Sequence, residues 1–313
     1  MVATILTSIL PVCLLVVLGA ALCRSGFLPD VFFTQMNRLG FWLLLPSLLF
    51  SILAKAPATA GVDGLRVGLL LCACSVVVTL AGWLVSCALR LPDGSARALM
   101  QAAMRGNLAY TGFPVLLYTF GAHSAAAAVA VLALAPSIPF YNFWAVLILT
   151  RAGEGNRRDQ QLRALIAVLR NPLIIGCGLG LLLLKSGLHL PAGILNAVEA
   201  LGQAALPCAL LALGAGLTPD KLRVSFRPAL AATVLKLVAM PVLGYAGARV
   251  LGFSGDTLLI ALLYLASPCA VTSYVMADQM GADKELAGAA IVLSTLLCLP
   301  VMMLILLLFG AHG

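Results

Sequence analysis

Charge is what this 313-residue chain has least of: Asp, Glu, Lys and Arg together make up 10% of it. A soluble domain carries about 25% charged residues, so an ordinary water-facing surface is excluded. Acidic residues are the scarcer sign, 11 against 19 basic ones, and there are 3 histidines. No connection between apolar runs is long enough for a separate domain, which leaves one membrane unit. The zinc-protease pattern H-E-x-x-H, the phosphate-binding G-x-x-x-x-G-K-[ST] and the nucleophile pattern G-x-S-x-G are all missing. A nucleotide-driven pump and the commonest hydrolase chemistries lose their sequence support. No basic residue precedes Arg24. The first apolar run therefore lacks the positive leader of a secretory signal and reads as a mature helix.

Apolar length is what the chain has instead. Hydrophobic residues are 62% of it and the mean hydropathy is +1.10. Counting runs of roughly 17–25 residues predicts ten spans, near 3–23, 39–54, 67–89, 98–120, 124–150, 166–187, 192–217, 228–252, 257–280 and 286–309. The expected fold is therefore an all-α polytopic membrane protein. The 9 cysteines lie in or at the ends of these runs and read as small hydrophobes. They form neither a disulfide framework nor a metal-ligand spacing.

The net charge of +8 is a topology signal. With ten spans, Arg24, Arg38, Arg90, Arg97, Arg151, Arg157, Arg158, Arg163, Lys221, Arg223, Arg227 and Lys284 fall on one side. Lys55, Arg66, Lys185 and Arg249 fall on the other. The basic side is cytoplasmic, so both termini are expected outside and the 151–165 connection inside. The partner of this charge is the lipid bilayer of the cell (inner) membrane, not nucleic acid.

Prolines reveal an internal repeat. Pro11 and Pro172, Pro46 and Pro207, and Pro139 and Pro300 are each 161 residues apart. Leu45-Pro46-Ser47-Leu48-Leu49 answers Leu206-Pro207-Cys208-Ala209-Leu210 at the same offset. Five spans per copy force the second copy to enter the membrane in the opposite sense. The expectation is two inverted five-helix repeats, 1–163 (with the cytoplasmic loop 151–163) and 164–313, and a site near the midplane.

Two segments interrupt the fourth and ninth spans: Arg105–Pro114 and Ala266–Ser273. Non-helical backbone at membrane depth is tolerated only where it is buried or lines a cavity. Gly106, Gly112 and Pro114 weaken the first helix, and Asn107, Tyr110 and Thr111 bring polar groups there. Pro268 breaks the second, beside Ser267, Thr272 and Ser273. An ordinary proline kink with Ser and Thr capping freed carbonyls is the simpler alternative for either segment alone. Their 161-residue correspondence (Asn107 to Pro268) favours a paired site.

Lys236 is an intramembrane cation. It attracts an anionic substrate, takes the place of a coupling ion, or is a counter-charge for helix C-terminal ends. Arg105 either binds a carboxylate bidentately or snorkels to the interface. Asn142, beside Tyr141 and Trp144, is a candidate lining residue, and Glu199 reads as interfacial. His123, His189 and His312 fall in loops or at the C-terminus, so no histidine proton path is expected.

These segments resemble the auxin efflux carrier family, within the bile acid/auxin transporter superfamily. Arg-Gly-Asn-Leu-Ala-Tyr-Thr-Gly-Phe-Pro at 105–114 is similar to the bacterial pattern R-G-N-f-x-x-x-G-x-P. Ala-Ser-Pro-Cys-Ala-Val-Thr-Ser-Tyr-Val-Met-Ala at 266–277 is similar to A-S-P-x-A-V-x-S-Y-V-M-A, and Lys236 with Pro241 to K-x-x-x-x-P. The resemblance implies two inverted five-helix repeats with helices four and nine broken and crossing, and an elevator-like exchange of access. It implies that Asn107 meets a substrate carboxylate. The chain departs from the plant carriers in lacking their long loop between helices five and six. The resemblance to bacterial members implies small carboxylates such as malonate or malate.

The expected function is secondary active transport of small organic anions, with H+ or Na+ as coupling ion and no cofactor or metal. The substrate-binding set is Arg105, Gly106, Asn107, Thr111, Pro114, Asn142, Lys236, Ser267, Pro268, Thr272 and Ser273. A passive facilitator or channel, or a sodium-coupled symporter of larger organic anions, would use the same residues. A homodimer is compatible with all three. A membrane enzyme or sensor has no nucleophile–base or metal constellation in the spans to support it.

Overall fold

The computed structural model describes residues 2–56, 60–150, 170–186, 188, 190–216 and 225–310. The 151–165 connection, the boundary between the two halves at 163/164, Lys221, Arg223, His189 and His312 lie outside the described residues. What is described is helical, with a single isolated antiparallel bridge between Gly106 and Cys269.

In chain order the helices are α1 Val2–Arg24, α2 Asp30–Leu39, α3 Leu45–Ala54, α4 Ala60–Ala88, α5 Asp93–Met104, α6 Phe113–Phe120 and α7 Ala125–Leu149. Then follow α8 Pro172–Ser186, α9 Ala192–Ala215, α10 Phe226–Val234, α11 Met240–Val250, α12 Gly255–Leu265, α13 Thr272–Gln279 and α14 Lys284–Phe309. Among the described residues, 6 helices are long and apolar enough to cross a membrane. Shorter apolar helices stand at Leu10–Arg24, Leu108–Phe120, Pro172–Ser186 and Gly255–Leu265. Two of the shortfalls have a visible cause: the expected fourth and ninth spans are each split into two short helices. Part of the expected sixth span falls outside the described residues.

Three π turns stand in the helices: Gly40–Leu44 and Leu235–Ala239 interrupt otherwise continuous ones, and Leu108–Gly112 opens the helix that follows the break after Met104. Each is followed by a helix whose second residue is proline, Pro46, Pro114 and Pro241 respectively. Proline has no N–H, and its ring collides with the carbonyl one turn back. Widening the preceding turn removes both conflicts without ending the helix. This corrects the short second span at 39–54, because helix begins at Asp30 and runs through the π turn to Ala54. Arg38 is then a helix residue and not part of a loop. Arg97 likewise lies in α5, buried, donating to the Leu149 carbonyl and paired with Asp93 at 3.0 Å.

Large apolar side chains such as Leu14, Val17, Leu69, Leu182 and Leu308 face outward, as a lipid-facing surface requires. Inside, α1 packs on α9, and α3 packs on α8 and α9. α2 packs on α9 as well, and the remaining helices form a second group, in which α4 packs on α5 and α7, and α10 packs on α5 and α14. Close approach in the first group depends on glycine. A Cβ on Gly180 would lie 2.8 Å from the Phe50 carbonyl oxygen, and one on Gly19 would collide with the Leu211 carbonyl. Gly180→Val should lower stability by about 1–3 kcal/mol through overpacking, read as a fall in the thermal midpoint of the purified protein. Gly178→Ala, where a Cβ meets nothing within 4 Å, is the control expected to unfold no earlier than the parent. Equal midpoints for Gly180→Val and the parent would mean that the α3–α8 contact is not tight.

Glu199 and Lys55 form an ion pair at 2.5 Å, partly exposed on both sides. His123 is exposed.

Candidate functional site

The site begins where α5 and α12 stop. Arg105 leaves the helix in an extended conformation, and Pro268 prevents α12 from continuing. The two freed strands meet antiparallel. The Asn107 N–H donates to the Pro268 carbonyl at 2.7 Å, and the Ala270 N–H donates to the Arg105 carbonyl at 3.0 Å. These bonds satisfy backbone that lipid could not, as the membrane interior demands. The Cys269 N–H is satisfied by the Ser294 hydroxyl at 2.9 Å.

Gly106 sits at the closest point of this crossing. A Cβ there would lie 2.6 Å from the Ser267 hydroxyl oxygen and 3.1 Å from the Lys236 Nζ. The Ser267 hydroxyl donates to the Tyr264 carbonyl at 2.6 Å, and Lys236 donates to the Leu265 carbonyl at 3.1 Å. Lys236 is fully buried, and neither the cavity beside the crossing nor the one between α1, α9 and α14 includes it.

A cavity of about 430 Å³ opens beside the crossing. Arg105, Gly106 and Asn107 form one wall, Tyr141 and Asn142 of α7 another, and Arg38 of α2 stands at a third. The first residues of both second half-helices also line it, Leu108–Tyr110 on one side and Val271–Thr272 on the other. The leading N–H groups of a helix have no intrahelical acceptor and carry a partial positive charge. No acidic residue lines the cavity among the described residues. Arg105 is buried, with one nitrogen on the Asn142 Oδ1 and another 2.8 Å from the Met276 sulfur. None of the described carboxylates pairs with it.

The expected residues thus divide. Arg105, Gly106, Asn107, Asn142 and Thr272 line this cavity. Pro268 and Ser267 build the crossing through backbone and hydroxyl bonds. Pro114 seats the helix after the break, and Ser273 is buried in the turn beginning α13. Thr111 accepts a bond from the Asn107 amide at 3.2 Å and faces a second, more apolar cavity of about 420 Å³ between α1, α9 and α14. Arg105 does not snorkel outward; Asn142 holds it in. Sequence reasoning missed Arg38 and Asn171, which line the main cavity. Arg38 stands in an amphipathic stretch directly before the second apolar run, exposed at the edge of the cavity in the helix that starts at Asp30.

Comparison with known proteins gives a consistent result. Residues 4–306 match the family model described as membrane transport protein. An uncharacterised transporter of Methanothermobacter thermautotrophicus is 28% identical over 93% of this chain and 94% of its own length. A protein named for malonate transport in Rhizobium meliloti is 27% identical over 92% of this chain and 91% of its own. Auxin efflux carrier component 1 of Arabidopsis thaliana is 25% identical over 46% of this chain and 24% of its own.

Proposed function

The chain belongs to the membrane transport protein family, that of the auxin efflux carriers, and from that premise we propose that it carries small organic anions of the malonate class. It is a multi-pass membrane transporter and not an enzyme. The observation that carries the proposal is the cavity at the crossing. Two helix N-terminal ends and two arginines face it, and no acidic residue does so among the described residues. Such a lining favours a carboxylate and disfavours a cation. Its volume, about 430 Å³, lies in the range of small-molecule sites. The name of the Rhizobium meliloti relative supports a dicarboxylate among the candidates.

In this reading Asn107 and Arg105 hold the anion, Arg38 draws it in, and Gly106, Ser267 and Pro268 keep the crossing closed behind it. Thr111, Thr272, Ser273, Pro114 and Asn142 complete the set. The protein works in the cell membrane with both termini outside, by alternating access between two inverted five-helix repeats, residues 1–163 and 164–313. Packing supports the repeat. The contact of Gly19 with Leu211 and that of Gly180 with Phe50 exchange under the same 161-residue offset. Asn107 is hydrogen-bonded to its own counterpart, Pro268, as residues on a two-fold axis would be. The two helix groups are the natural rigid bodies for an elevator-like movement. Homodimerisation of the α1/α3/α8/α9 group would anchor it.

Uptake of labelled malonate into proteoliposomes tests the assignment, with other mono- and dicarboxylates and an organic cation as competitors. Malonate or a near analogue should accumulate, and Asn107→Ala should reduce the rate about tenfold, the value of one hydrogen bond to a charged group. Competition by the organic cation but by none of the carboxylates would sink the assignment. Uptake that equilibrates without accumulating, whatever gradient is imposed, would favour the passive facilitator.

A further inference from the structure

We propose that the Lys236 ammonium is a resident cation that fills the place a coupling sodium ion would take at the crossing, so that this chain binds no sodium there. The inference deepens the transport reading above and rests on it only for its meaning in transport, because occupancy of the place is a property of the folded chain. In transporters with broken helices, half-helix C-terminal ends and unwound carbonyls form the sodium sites, because helix dipoles leave negative potential there. The end of α12 is such a place. In a continuous helix the Leu265 carbonyl would accept from the N–H four residues on, that of Cys269. Pro268 breaks the helix, and the Cys269 N–H goes to the Ser294 hydroxyl at 2.9 Å. The Leu265 carbonyl is thereby left to the Lys236 Nζ, 3.1 Å away.

The surroundings of that nitrogen fit a cation site already filled by the chain. Its other hydrogen-bond partner is the Met240 sulfur at 3.1 Å. The Ser267 hydroxyl oxygen and the Lys236 Nζ both press on the space where a Gly106 Cβ would be. None of the described carboxylates pairs with Lys236, although the side chain is fully buried. An unpaired ammonium is stable at such depth only where fixed dipoles supply the negative potential. A sodium ion drawn to the same carbonyl would stand beside that ammonium, and their repulsion in a buried site excludes it. The counterpart of Lys236 at the 161-residue offset is Ser75, whose hydroxyl donates to Leu71 in its own helix at 2.8 Å. The charge is therefore an addition to one copy and not a requirement of the broken-helix architecture.

The test is the thermal midpoint of the purified full-length protein in sodium chloride against choline chloride at equal ionic strength. An ion that binds the folded state at about a hundred times its Kd raises the midpoint by several degrees. The parent should show no such rise. Lys236→Ser, which removes the charge and leaves oxygen and space, should unfold earlier in choline and recover in sodium. Lys236→Met, which fills the space without charge, should unfold earlier in both salts. A sodium-dependent midpoint in the parent overturns the proposal, and so does Lys236→Ser that matches the parent in choline or ignores sodium. Should Lys236→Ser not fold, binding of radioactive sodium to the parent decides: none supports the proposal, and saturable binding removed by Lys236→Met overturns it. No arm uses an organic anion, so failure of malonate uptake and failure of this inference remain separate results.

Discussion

Arg105→Gln is expected to cut organic-anion uptake about a hundredfold, since losing a buried charge-assisted contact costs roughly 2–5 kcal/mol and each 1.4 kcal/mol is a factor of ten. The side chain is the buried cation of the main cavity wall, held between Asn142 and the Met276 sulfur. Glutamine removes the charge and, being about two bonds shorter, also gives up the reach to Asn142 and Met276, so the thermal midpoint is measured alongside and should fall far less than uptake does. Arg105→Lys separates charge from geometry. A single ammonium cannot hold Asn142 and Met276 and still offer a donor to a substrate, as a planar guanidinium can, so intermediate uptake is expected. Measured rates of both variants within threefold of the parent, at equal protein in the vesicles, would show that the anion does not pass this wall.

Gly106→Ala has the second largest expected effect, and its cause is steric. The new methyl would stand 2.6 Å from the Ser267 hydroxyl oxygen and 3.1 Å from the Lys236 Nζ. Neither neighbour moves freely, because one is bonded to the Tyr264 carbonyl and the other to that of Leu265. Overpacking at such a point costs about 1–3 kcal/mol, and the backbone bonds of the crossing share the strain. Uptake should drop at least about tenfold if, as proposed, the crossing holds Asn107 and Arg105 in place for an anion. Adding Ser267→Ala deletes the nearer obstacle. The double variant Gly106→Ala/Ser267→Ala should therefore outperform Gly106→Ala alone, a coupling that contact between the two positions predicts. Strictly additive losses would mean that Gly106 matters for some reason other than this contact.

Composition and spacing made much of the architecture legible. A chain with 62% hydrophobic and 10% charged residues can only bury its backbone polar groups by forming helices in lipid, so the all-helical membrane character followed at once. The interruptions at 105–114 and 266–273 were visible because glycine and proline are costly in helices and rarely paired by chance. Their placement opposite one another is seen directly in the Asn107–Pro268 bond. Helix limits were less legible around proline. Pro46, Pro114 and Pro241 each stand second in a helix, and the π turn before each, which lets the helix accommodate the ring, has no signature in sequence. The second helix exceeds its apolar run for a different reason: Asp30–Leu39 is amphipathic, with Asn37 and Arg38 at its end, so apolar length alone starts only at 39.

The division between the two sources of information is clearest at the two buried cations. Sequence alone placed Arg105 at the edge of a broken segment and Lys236 within an apolar run, because residue type and hydropathy are local properties. It left open whether Arg105 faces water or protein and whether Lys236 meets substrate or carbonyls. Tertiary structure decided which group each side chain bonds, since each partner lies far along the chain. Asn142, reached through α7, keeps Arg105 inside the cavity. Ser294, on α14, takes the Cys269 N–H and so leaves the Leu265 carbonyl to Lys236. Hydrogen bonds across 25 and 37 residues carry no local signature, and only the packed helices bring their partners together.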